Sequence, residues 1–271
     1  MIWCEPRVII TINKVVTGRF APEKTDNITN GYAKIQKIIQ KDCRNAENPH
    51  CIFRIFAVTT RAPAGDSNDV SGSMDGLPIQ ELNEGVRQFY QAIKEDETAL
   101  YAADICVITF GGTEPVCLRD FSGLDQQPEV PTLSAGGMTP MGEAINLGLD
   151  LLERRKEQFR SVGVDYFQPW FVLMSDGAPN GAADQLARAK QRMDSLARDK
   201  KLSVFPIGIG AHADMKALAE FSPMRSPLKL KGLKFREFFE WLSQSVSTTS
   251  QSIAGESISL DFEGIKGWAE L

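Results

Sequence analysis

The chain has 271 residues, 42% of them hydrophobic and 24% charged, with a formal net charge of −5 and a pI near 5.3. These are the values of a globular protein, with length for one α/β domain plus an extension. The acidic balance leaves no basic surplus to meet phosphates, which argues against a general nucleic-acid or anionic-membrane binder, and no apolar run reaches the length of a membrane span.

In chain order, residues 1–68 have a character of their own. "RVIITINKVV" and "CIFRIFAVTT" read as strands and "NGYAKIQKIIQ" as a short helix, joined by Asn-, Pro- and Gly-bearing stretches. From about residue 69 the pattern becomes regular. "LPIQELNEGVRQFYQAIKED" spaces Ile79, Leu82, Val86, Phe89 and Ile93 three and four apart, as an amphipathic helix requires. "DICVITF" (104–110) is a nearly continuous apolar strand, and "EPVCLRDF" (114–121) suits a hairpin partner. "TPMGEAINLGLDLLERRKEQF" predicts a second long helix with Pro140 in its first turn. Then come a strand in "PWFVLMSDG", a helix in "AADQLARAKQRMDSLARDKK", a strand in "LSVFPIGIG", a short helix in "ADMKALAEFS" and a last helix in "FREFFEWLSQSVS". Strands alternating with helices imply a three-layer, doubly wound (Rossmann-like) α/β fold, with a mostly parallel sheet and helices on both faces. The division expected is an N-terminal region 1–68, a domain 69–250 and a C-terminal tail 251–271.

Three strand-to-helix turns collect oxygen-bearing side chains: Asp69-Val70-Ser71-Gly72-Ser73, then Thr139 in "SAGGMTPMGEA", then Asp176 in "LMSDGAPNG". Such turns gather at the carboxyl edge of a parallel sheet, where α/β proteins hold their ligands. Asp69, Ser71, Ser73, Thr139 and Asp176 offer only oxygen, two of them as carboxylates, which is the chemistry of a hard divalent cation such as Mg2+ or Mn2+. In an extended segment Asp69, Ser71 and Ser73 share one side. The other candidates read plainly. His50 and His212 are structural or exposed, Asp75 is a first-turn acid, Cys106 is core, and "ERRKEQFR" (153–160) is a solvated helix end. No Gly-rich phosphate loop followed by Lys is present.

D-x-S-x-S, a Thr in a Gly-rich loop and S-D-G after a strand together resemble the metal-ion-dependent adhesion site, or MIDAS, of von Willebrand factor type A (vWA) domains. The resemblance covers residues 69 to about 250. "GSMDGLPIQELNEGVRQFYQAI", "ICVITFGG" and "FREFFEWLSQSVS" look most like the bacterial TerY-like group of tellurium-resistance and stress operons. It implies that Asp69, Ser71, Ser73, Thr139 and Asp176 hold Mg2+ (or Mn2+) and that a protein partner supplies an Asp or Glu to complete the shell. It further implies a cytoplasmic interaction module rather than an enzyme. The alternatives are a non-catalytic vWA subunit of an AAA ATPase or metal-chelatase complex, or a truncated copy with an impaired site. Five cysteines without a C-x-x-C pair fit a reduced compartment, and the first residues lack the order of a secretory signal.

One feature departs from that pattern. The strand feeding D-x-S-x-S is expected to be apolar, central and continuous with Asp69, yet "RAPAGDSN" occupies its place. Either Cys51–Thr60 fills the central position after an added loop, or another N-terminal strand does, or residues 1–68 are non-native and the sheet lacks its middle. Cys51–Thr60 is the best candidate by apolar content, but Arg54 interrupts the run that a strand covered on both faces needs.

Overall fold

A computed structural model of the chain describes residues 7–17, 77–111, 114–127, 129–133, 140–161, 164–175, 178–210, 213–250 and 264–270. The strands are β1 (Arg7–Thr17), β2 (Asp104–Phe110), β3 (Val116–Gly123), β4 (Val164–Ser175), β5 (Ser203–Gly208), β6 (Leu228–Leu230) and β7 (Ala269–Glu270). The helices are α1 (Leu77–Glu95), α2 (Glu97–Ala102), α3 (Met141–Ser161), α4 (Ala183–Arg198), α5 (Met215–Ala219) and α6 (Phe235–Ser250). The strands form one sheet in the order β3-β2-β1-β4-β5-β6-β7. β2, β4, β5 and β6 point one way, whereas β1, β3 and β7 run against them.

Strand alternation divides the core into two. Ile105, Val107, Val172, Met174, Phe205 and Ile207 face α1, α2 and α6, whose Val86, Phe89, Phe238 and Phe239 are fully buried. Cys106, Ile108, Phe110, Phe171, Leu173 and Val204 face α3, α4 and α5. A strand covered on both sides carries a nearly unbroken apolar run, and all seven residues of β2 are buried. The three-layer α/β fold expected from the sequence is therefore the fold observed. No helix among the described residues is long and apolar enough to cross a membrane.

The centre of the sheet corrects one expectation. The slot between β2 and β4 belongs to Arg7–Thr17, not to Cys51–Thr60, and residues 51–60 lie outside the described residues. Val8–Ile12, with only Thr11 polar, pairs with β2 and β4 at once, whereas Lys14–Thr17 continues along β4 alone. Arg7, the first residue of the strand, pairs with both neighbours too, so the two-sided position is uncharged only beyond it, where Arg54 would have brought a charge into the interior. β1 also runs antiparallel to both neighbours, so its first residue, Arg7, lies opposite Phe110 and Ser175. The carboxyl edge of β2, β4 and β5 therefore meets the start of the central strand, and β1 does not lead into Asp69.

A second correction concerns residues 153–160, expected to be a solvated helix end. Lys156 and Phe159 are buried there, and Arg155 reaches the fully buried Asp104 at 2.5 Å while its guanidinium lies over the Phe159 ring. Residues 264–270, inside the segment expected as a tail, add β7 and bury Trp268 against Phe238 and Trp241.

Candidate metal centre

The carboxyl ends of β2, β4 and β5 share one edge, because Arg7 is opposite both Phe110 and Ser175, and Ser175 is opposite Gly208. The five ligands predicted from the sequence, Asp69, Ser71, Ser73, Thr139 and Asp176, lie outside the described residues. Their chain neighbours are described. Leu77 opens α1 shortly after Ser73, Pro140 follows Thr139 into α3, and Ser175 closes β4 immediately before Asp176.

The helices that follow Thr139 and Asp176 are bonded to one another. α4 starts after Ala182, whose side chain cannot cap the helix. Glu143, in the first turn of α3, supplies the missing acceptor: its Oε1 takes the Ala182 backbone N–H at 2.7 Å. A carboxylate at the start of two helices is favoured by both helix dipoles. Gly142 allows the approach, since a Cβ there would stand 2.5 Å from the Leu186 nitrogen. Asn146 Nδ2 extends the seam by donating to the Gln185 carbonyl at 3.0 Å. The helix after Thr139 and the segment after Asp176 are thereby held side by side.

α1 is tied to the same region from the other face. Asn83 Nδ2 donates to the Leu133 carbonyl at 2.8 Å, and Asn83 Oδ1 accepts the Leu133 N–H at 2.7 Å. Leu133 is the last described residue before the segment that ends at Thr139. Both backbone groups of Leu133 are thus fixed by one amide, as a peptide neighbour would fix them. Asn83 and Glu143 were not singled out from the sequence. An Asn in a helix interior is a weak signal of a specific tether, and an acid in a first turn is too common to mark one.

Glu143 also provides a test of whether a cation suits the place. Its Oε2 is buried and has no hydrogen-bond partner among the described residues. A buried carboxylate oxygen left without a donor is costly, and a cation or its bound water would satisfy it. The orphaned oxygen stands four residues after Thr139 in sequence, and the all-oxygen donor set has the chemistry of a hard divalent ion.

No protein-family model and no curated protein matches the chain. Among solved structures it is similar to proximal thread matrix protein 1 from the mussel byssus, at 17% identity over 62% of this chain and 43% of that one, with a TM-score of 0.41. It is also similar to a von Willebrand factor type A protein from Catenulispora acidiphila, at 14% identity over 65% and 40% of the two chains, TM-score 0.45. A third is the mussel protein with a zinc-occupied MIDAS motif, at 14% identity, 63% and 43% coverage and TM-score 0.39. The chain spans less than half the length of each, and these are likenesses over part of a fold.

Proposed function

We propose that the chain is a Mg2+-dependent protein-interaction module of the vWA type, of the TerY-like group, acting in a cytoplasmic stress-response assembly and without turnover of its own. The observation that carries the reading is the Glu143–Ala182 hydrogen bond, which joins the helix following Thr139 to the segment following Asp176 at the carboxyl edge of the sheet. The sequence motif D-x-S-x-S with Thr139 and Asp176 supplies the oxygen set. In this reading Asp69, Ser71, Ser73, Thr139 and Asp176 hold Mg2+ or Mn2+. Two carboxylates formally neutralise a divalent ion and hydroxyl ligands add no charge, so the ion stays attractive to an incoming carboxylate. A partner's Asp or Glu would thus gain a charge-assisted bond.

The rest of the chain's contribution is positional. Glu143 joins the helix after Thr139 to the segment after Asp176, and Asn83 ties α1, the helix after Ser73, to Leu133 ahead of Thr139. Titration calorimetry of the full chain with Mg2+ tests the site, with Asp176→Ala as comparison. Binding by the parent and its loss in the variant are expected; equal binding by both would remove these ligands from the proposal. Capture of a partner in Mg2+ that fails in EDTA is the matching expectation for recognition. Phosphatase or esterase turnover that depends on the ion would replace the module with an enzyme.

A further inference from the structure

The far side of β2 carries a second cluster, independent of the loops above. The β2–β3 ladder shifts register on both sides of Val107: Ile105 is opposite Ser122, Val107 opposite Arg119 and Ile108 opposite Cys117. Cys117 and Asp120 are three residues apart, and in a regular strand side chains at odd separation point to opposite faces. The bulge reverses that alternation and re-aims the side chains beyond it. As a result Cys106 Sγ, Cys117 Sγ and a carboxylate oxygen of Asp120 all lie within 4.8 Å of one another. Both thiols are free, with Cys106 fully buried and Cys117 half-buried.

We propose that Cys106, Cys117 and Asp120 form a binding site for a thiophilic divalent cation of the zinc class. The two sulfurs are 4.0 Å apart. Two zinc–sulfur bonds of about 2.3 Å at a tetrahedral angle place sulfurs about 3.8 Å apart, so little movement is needed. Asp120 supplies the third ligand, and the exposed side of β3 admits water as the fourth. Charge also closes. Two thiolates and a carboxylate around a divalent ion leave one negative charge, and the Arg154 guanidinium already pairs with Asp120.

A disulfide fits the same pair less well. Cys117 lies opposite Ile108, two positions along β2 from Cys106, so the cysteines are diagonal neighbours. Diagonal Cα atoms are about 7–8 Å apart, past the reach of roughly 7 Å that a disulfide tolerates without backbone movement.

Cadmium is the probe, because its charge-transfer absorption reports thiolate ligands directly. The full chain is titrated with Cd2+ in excess Mg2+, which fills hard oxygen sites and separates this result from the proposed function. The expected signal saturates at one ion per chain, is displaced by Zn2+, and persists when Cys4, Cys43 and Cys51 are all changed to Ser. Cys117→Ser should lose it, and Asp120→Asn, at an exposed position that spares the core, should weaken binding by about tenfold or more. Circular dichroism checks that each variant folds. A signal unchanged in Cys117→Ser and Asp120→Asn, or lost in the triple variant, overturns the site. So does a chain with Cys4, Cys43 and Cys51 changed to Ser that shows no reactive thiol in denaturant and two after reduction.

Discussion

Gly142→Ala should destabilise the protein, against the usual sign of the change. In an ordinary helix interior alanine is favoured over glycine by roughly 0.5–1 kcal/mol, because it surrenders less backbone freedom on folding. Here the new methyl would stand 2.5 Å from Leu186 N and 2.6 Å from Leu186 Cα, both backbone atoms of α4 that cannot rotate aside. Reaching an ordinary carbon contact of about 3.5 Å requires the two helices to part by roughly 1 Å. Overpacking of this kind costs about 1–3 kcal/mol. Separation also stretches the 2.7 Å Glu143–Ala182 and 3.0 Å Asn146–Gln185 hydrogen bonds, each worth about 1 kcal/mol net. Against the propensity gain, a net loss of about 2 kcal/mol is expected, or about 4–8 °C in melting temperature for a domain of this size. Urea and thermal unfolding followed by circular dichroism measure it, and calorimetry should show Mg2+ affinity falling too. Gly148→Ala is the control, since its methyl would first meet a side-chain atom, Phe171 Cε2, at 3.1 Å. A midpoint for Gly142→Ala equal to or above the parent's would refute the close helix contact and the seam built on it.

Two further outcomes are expected. Trp268→Ala should cost about 3 kcal/mol in urea unfolding, because the ring is buried between Phe238 and Trp241; an unchanged midpoint would make the C-terminal strand dispensable. Burial lowers the Lys156 pKa despite Glu153 beside it, so the folded state binds that proton more weakly than the unfolded one. The resulting penalty is present at neutral pH and is relieved as pH rises through the lowered value toward the ordinary one near 10.4. Lys156→Met should therefore be at least as stable as the parent at neutral pH. The parent should gain on it in mildly alkaline urea titrations, and a parent that loses ground there would contradict the sign.

Much of the architecture was legible in the residues themselves. Period-two and three-to-four apolar spacing depend only on local backbone geometry, so β2, β4, β5, α1, α3, α4 and α6 appear where the sequence predicts them. The predicted oxygen set is equally local, being three short motifs, and its residues lie outside those described. What the sequence misjudged was which N-terminal strand enters the sheet, favouring Cys51–Thr60 over Arg7–Thr17, and in which direction. "RVIITINKVV" and "CIFRIFAVTT" both read as strands, and an apolar run looks the same whether its neighbours are parallel or antiparallel to it. Only pairing with β2 and β4 selected Arg7–Thr17 and set it against them.

The same division runs through the sites. Nothing local marks Glu143 as the cap of α4, 39 residues away, or Asn83 as the clasp of Leu133, 50 residues away. Cys106 read as a core residue and is one, yet its proximity to Cys117 and Asp120 follows from a register shift that no residue announces. Spacing along the chain determines periodicity and donor chemistry. Which donors meet is decided by strand register and helix packing, because those depend on contacts between segments far apart in sequence.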